Sequence, residues 1–270
     1  MLRLSWPIRQ NDVMVSVRKI LLGLVSLACC SPLVAQETVR IAVGEWPPYL
    51  SRTAQHYGVA AHIVEEAFQA SGMDVEIDFL PWARVLVYVE SGQYDASILW
   101  VKTEERQASF LFSDVVLEGE AVFFYHKDNP LIWQEFRDLD NKRFGGLRSA
   151  SYPWFDAARA AGAAVEMELV STEQQNFSKL LSQRIDAYAM DKLVGLHILQ
   201  QDFADRQNDI SYDPTPIETW PYRLIFTRSP RGEALTEAFN QGLQAIQERQ
   251  KVQVHLNNVA NGVYLPIAEQ

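Results

Sequence analysis

The chain has 270 residues, a formal net charge of −10 and only two cysteines, the adjacent Cys29 and Cys30. The acidic balance argues against nucleic acid and anionic membrane surfaces as partners. With no cysteine after position 30, a disulfide framework, a thiolate nucleophile and a cysteine metal site are excluded from the rest of the chain.

Residues 1–35 read as an export signal. Arg18-Lys19 is a positive lead, and residues 20–30 are an apolar run too short to span a bilayer. Leu33-Val34-Ala35 then places a small residue before a cut at Gln36, and Met14 is an alternative start. A short membrane anchor, or a lipoprotein site at Leu27-Ala28-Cys29, is the competing reading. Removing Arg3, Arg9, Arg18, Lys19 and Asp12 with the signal takes the charge from −10 to −13. About 235 residues remain, enough for two lobes with their own cores.

Strand and helix signals then alternate, which predicts an α/β fold. Residues 38–43 form a strand that ends in Gly44-Glu45-Trp46-Pro47-Pro48-Tyr49. Residues 58–71 are helical, with Ile63, Val64, Ala67 and Phe68 on one face and Gly72 as the stop. Residues 74–80 alternate, with Val75, Ile77 and Phe79 inward and Glu76 and Asp78 outward. Pro81 opens a helix ending near Gly92, and residues 95–100 are a strand.

Beyond Asp140-Asn141 the alternation resumes. Strands are predicted at 144–147, 165–169, 185–190 and 222–227, and helices at 152–161, 171–182, 192–200 and 232–250. Ser171 with Gln174 has capping-box spacing. Ser91-Gly92-Gln93-Tyr94-Asp95-Ala96 is echoed by Ser182-Gln183-Arg184-Ile185-Asp186-Ala187, each following a strand–helix unit and opening a strand. The echo suggests two similarly wound lobes. Residues 117–125 and 218–226 are then the two crossings, and two crossings make a hinge. The lobes divide as 36–118 with 219–270, and 119–218.

Arg106 is the most telling single residue. It follows the strand 95–100, on the side where α/β sheets present groups to ligands, and its planar fork suits a carboxylate. Thr103-Glu104-Glu105-Arg106 followed by Phe112-Ser113-Asp114 resembles the bacterial extracellular solute-binding proteins of family 3, receptors for polar amino acids. The resemblance extends over Gly44 to Tyr49, Gly58, Phe79-Leu80-Pro81-Trp82, Asp95-Ala96, and Asp186-Ala187 with Asp191.

This resemblance implies a type II periplasmic binding protein-like fold of two lobes joined by two crossing strands. It implies a periplasmic, monomeric protein that captures a small carboxylate-bearing solute, an amino acid first of all, for the permease of an ABC importer. Arg106 would clamp the ligand carboxylate. Asp191 would hold its ammonium, although taken alone it reads as a helix N-cap before Lys192.

Trp46, Tyr49, Trp82 and Trp100 fall at strand-to-helix turns, where they either stack on ligand or plug the lobe cores. The second-lobe loop Arg148-Ser149-Ala150-Ser151-Tyr152 offers the hydroxyls of Ser149 and Ser151 but lacks the family's glycine, and Trp100 stands where the family has a small residue. The competing classes are an enzyme on the same fold, resembling the periplasmic cyclohexadienyl dehydratases, and a soluble ligand-sensing partner.

No cofactor motif occurs, and no metal site is expected. His62 with Glu65 and Glu66 reads as a solvated helical stripe, and Glu104-Glu105 is a poor acid/base pair because adjacent side chains diverge.

Overall fold

The computed structural model describes residues 37–148, 150 and 152–267. The expected export segment, with Cys29 and Cys30, lies outside the described residues. Strand β1 (Thr38–Val43) runs parallel to β2 (Asp74–Phe79) in the register Val39↔Val75 and Ile41↔Ile77, with α1 (Val59–Ala70) as the crossover. The α1 face of Ile63, Val64, Ala67 and Phe68 is wholly buried, and Gly72, at φ 78°, turns the chain out of the helix. After α2 (Trp82–Glu90), β3 (Ala96–Trp100) joins the other edge of β1. A short α3 (Glu104–Ser109) and β4 (Phe110–Phe112) follow.

The chain then leaves along β5 (Leu117–His126). The second half contains β6 (Arg143–Leu147), α4 (Pro153–Ala160), β7 (Glu166–Val170), α5 (Glu173–Leu181), β8 (Ala187–Asp191), α6 (Lys192–Asp202) and β9 (Ile210–Tyr212). Here β6 is parallel to β7 and β8, while β8 and β9 are antiparallel to β5. The return strand β10 (Glu218–Thr227) first pairs with β5, from Glu218↔Ala121 to Tyr222↔Leu117, and then with β3 and β4. The ladder order is β2-β1-β3-β10-β5-β8-β6-β7. This is a type II periplasmic binding protein-like fold, two α/β lobes joined by two crossing strands.

Each end has its own core. Val39, Ile41, Phe68, Leu224, Phe226 and Phe239 anchor the first, where α7 (Pro230–Glu248) and α8 (Lys251–Ala260) pack on α1. Phe123, Phe144 and Trp154 form one side of the second, and Val122, Phe124, Phe177 and Tyr188 the other. Phe123 and Trp154 meet edge to face with centroids 4.9 Å apart.

Three expectations are corrected. The capping box lies one residue later than Ser171 and Gln174. Thr172 Oγ1 accepts from the Gln175 N–H at 3.3 Å and Gln175 Oε1 accepts from the Thr172 N–H at 3.3 Å, because β7 continues to Val170. The long last helix ends at Glu248, where Gln250 adopts φ 58°, and α8 begins anew at Lys251. The stripe of His62 and Glu66 is not a freely solvated one, because His255 of α8 closes over it.

Candidate ligand-binding site

Asp191 ends β8 and caps α6. Its Oδ1 accepts from the Val194 N–H at 3.0 Å, and its Oδ2 accepts from the Tyr49 hydroxyl at 2.9 Å. Tyr49 comes from the opposite lobe, on a turn in which the Trp46 and Leu50 backbones bond to each other at 2.7 and 3.0 Å. Gly58 secures that turn. At φ 102° it needs no Cβ, and a Cβ there would lie 2.5 Å from the Tyr49 carbonyl.

Burial pushes the Asp191 carboxyl up to about 6, against the opposing pull of the Val194 N–H, the Tyr49 hydroxyl, the Leu193 N–H and the Lys192 charge. Burial, and then the facing Asp191 charge, pushes the Tyr49 phenol well above its ordinary value, so it remains a donor at neutral pH. Tyr222 is raised by the same two causes.

Asp191 opens into a cavity of about 370 Å³, within the size range of small-molecule sites. Trp46, Tyr188, Trp220 and Tyr222 are among its aromatic walls, and Glu173, Asp191 and Glu218 are its carboxylates. No Lys or Arg is among its lining residues within the described part of the chain. Glu173 accepts from the Tyr188 hydroxyl, and burial pushes its carboxyl up to about 6. Tyr152 takes the Leu147 N–H at 2.6 Å. The Trp154 Nε1, buried at the cavity wall, has no partner among the described residues. Such a donor is available to a ligand acceptor. A second, larger depression of about 470 Å³ lies against α7, bordered by Phe112, Glu233, Glu237 and Asn240, and shares no residue with this cavity.

Trp82, Trp100 and Arg106 form a separate ledge beside β3. Trp82 covers Gly44, where a Cβ would fall 2.2 Å from the indole, and its Nε1 donates to the Glu45 carbonyl at 3.2 Å. Trp100 meets Trp82 edge to face at 5.6 Å and donates to Ser97 Oγ at 2.9 Å. The Arg106 guanidinium lies 5.1 Å from the Trp100 ring centre and donates through Nη1 to the Val101 carbonyl at 2.9 Å. Among the described residues no carboxylate lies within ion-pair distance of it.

Of the residues singled out from sequence, Trp46, Tyr49 and Asp191 are brought together, with Trp46 and Asp191 on the cavity wall. Trp82, Trp100 and Arg106 cluster apart from its lining. Ser149 and Ser151 lie outside the described residues. Asp191 is at once a helix cap and a cavity acid, so its two readings are compatible.

The sequence reading missed Tyr152, Glu173, Tyr188, Trp220 and Tyr222. Trp220 and Tyr222 carried a signal, as aromatics on an expected crossing strand. Glu173 looked like an ordinary first-turn acid.

Residues 39–257 match the family model for bacterial extracellular solute-binding proteins, family 3. No curated protein matches the sequence as a relative. Among solved structures, the chain is similar to the second substrate-binding domain of a transporter from Streptococcus pneumoniae. That match has 18% identity and a TM-score of 0.69, over 83% of this chain and 100% of that one. A Bacillus subtilis protein matches at 22% identity and TM-score 0.64, over 86% and 95%. The S. pneumoniae amino acid ABC transporter substrate-binding protein AbpA, bound to L-arginine, matches at 16% and 0.56, over 84% and 96%. These likenesses establish the fold, and the family match establishes membership: the chain belongs to the bacterial extracellular solute-binding proteins of family 3.

Proposed function

We propose that this protein captures a small amino acid, or a closely related solute carrying a cationic nitrogen, and delivers it to an ABC importer. The observation that carries the reading is the Asp191 cavity, which is acidic, aromatic, of small-solute size and without a lining cation among the described residues. A buried carboxylate flanked by Trp46 and Tyr222 suits an ammonium or guanidinium group. Arg106, without an acid of its own among the described residues, is our candidate for the ligand carboxylate. Tyr49 links the lobes at the acid and would register closure.

In this reading residues 36–118 with 219–270 form one lobe and 119–218 the other, hinged at 117–120 and 218–222, and a monomer works in the periplasm after loss of residues 1–35. A thermal-shift screen with amino acids, polyamines and organic acids tests it. A true ligand at 100 times its dissociation constant adds about 2.7 kcal/mol. No shift with any of the three classes, followed by no heat in calorimetry, counts against the reading.

A second reading rests on Glu173 and Asp191, two carboxyls raised to about 6 in one cavity. Such groups can serve as general acids, as an enzyme of the cyclohexadienyl dehydratase kind requires. Incubation with prephenate or arogenate decides: formation of an aromatic product favours the enzyme, and an unchanged substrate favours the receptor.

A further inference from the structure

We propose that His62, Glu66 and His255 bind a zinc-class divalent transition-metal ion, at a site distinct from the Asp191 cavity. His62 and Glu66 lie four residues apart on α1, hence on one helical face. His255 reaches them from α8. His255 Nε2 is 3.1 Å from Glu66 Oε2, His62 Nε2 is 4.0 Å from Glu66 Oε1, and a ligand atom from each of the three falls within 4.8 Å of the others. Tetrahedral zinc with bonds near 2.0–2.1 Å separates its ligands by about 3.4 Å, so small side-chain rotations close the set.

The surroundings supply what a metal-binding imidazole pair needs. The Tyr264 hydroxyl sits 2.9 Å from His62 Nδ1 and 3.4 Å from His255 Nδ1, behind both rings, which turns both Nε2 atoms toward Glu66. That is the outer-shell arrangement that orients metal-binding histidines. Tyr264 has one proton for two Nδ1 atoms, so with both imidazoles neutral and both Nδ1 contacts made, one ring keeps its proton on Nδ1 and leaves its Nε2 lone pair free for a cation.

When the ion takes both Nε2 atoms, both ring protons reside on Nδ1 and the Tyr264 oxygen accepts them. Side-chain exposures of 16% for His62, 20% for Glu66 and 8% for His255 leave a partly covered site with an open edge.

Lys251 is the built-in competitor. Its Nζ lies 3.1 Å from both Glu66 oxygens, and its side chain is 43% exposed, free to swing into solvent when a dication arrives. Two imidazoles and one carboxylate favour zinc, copper or nickel over calcium and magnesium, which take all-oxygen shells. The sequence could not show this site, because its third ligand is 189 positions from Glu66.

The test is calorimetric titration of the untagged protein with Zn²⁺ alone, with Co²⁺ as a visible-absorption reporter. We expect one ion per chain with a dissociation constant below about 10 µM, and Co²⁺ bands of a low-coordinate site. His62→Ala and His255→Ala should each weaken binding at least roughly 100-fold, and Tyr264→Phe about 10-fold. Lys251→Ala should leave it equal or tighter. The near-isosteric Glu66→Gln, checked for native circular dichroism, tests the third ligand if a histidine variant fails to fold. A wild-type constant weaker than about 10 µM, or undiminished binding in folded Glu66→Gln, overturns the site.

Discussion

The Tyr49 hydroxyl donates to both oxygens of Asp191, at 2.9 and 3.2 Å, across 142 positions of sequence. It joins the turn after β1 to the first turn of α6, and therefore one lobe to the other. Tyr49→Phe removes the donor and keeps the ring. We expect a stability loss of about 1 kcal/mol and a further rise of the Asp191 titration midpoint. Carboxyl carbon NMR reads the midpoint, and an unmoved midpoint shows that the bond contributes nothing in solution.

Asp191 also sets a pH dependence. Its folded-state value of about 6 lies above its ordinary one, so the folded chain binds the extra proton. The stability contribution of that proton is full below the unfolded value and is lost as pH rises through about 6. Asp191→Asn, which keeps an N-cap acceptor, should therefore gain stability relative to wild type as pH is raised from 4 to 8. Affinity for a cationic ligand should run the other way in wild type, falling as pH drops through about 6, and the fall should be shallower in Asp191→Asn, where only Glu173 still titrates in that range. Urea melts and calorimetry at four pH values check both slopes.

Arg106→Ala should cost roughly 2–5 kcal/mol of ligand affinity if the guanidinium meets the ligand carboxylate in a dry closed cleft. Arg106→Lys should recover only part, since an ammonium cannot make the planar double contact. The side chain has no acid partner among the described residues, so little folding stability should be lost with it. Unchanged affinity in the folded Ala variant removes Arg106 from the site.

Much of this was written locally in the sequence. Gly58, Gly72 and the buried α1 stripe stand where periodicity and stop signals put them, because short-range sterics decide them. The crossing strands were readable from the echoed strand–helix order, which calls for two connections between two similarly wound halves. The cavity was less so. Asp191 and Trp46 could be named from motif order, yet Glu173, Tyr188 and Trp220 become neighbours only through the β6-β8-β5-β10 ladder, which no local pattern encodes. Gln250 hid a helix break, since a non-glycine residue at positive φ leaves no compositional mark.

Gly119 offers a test of the crossing itself. A Cβ there would lie 2.4 Å from Tyr222 Cε2 on the facing strand. Gly119→Ala should push that ring aside and cost about 1–3 kcal/mol, with a weakened ligand response because Tyr222 also walls the cavity. A denaturant midpoint equal to wild type shows that the ring has room to move.

The paired crossings have a mechanical meaning. Residues 117–121 and 218–222 are hydrogen-bonded to each other side by side, so they form one ribbon and not two independent tethers. A ribbon bends readily out of its plane but resists shear within it. In the two-lobe reading proposed above, such a ribbon favours bending over shear between the lobes, and the Tyr49–Asp191 bond is the contact that would report it.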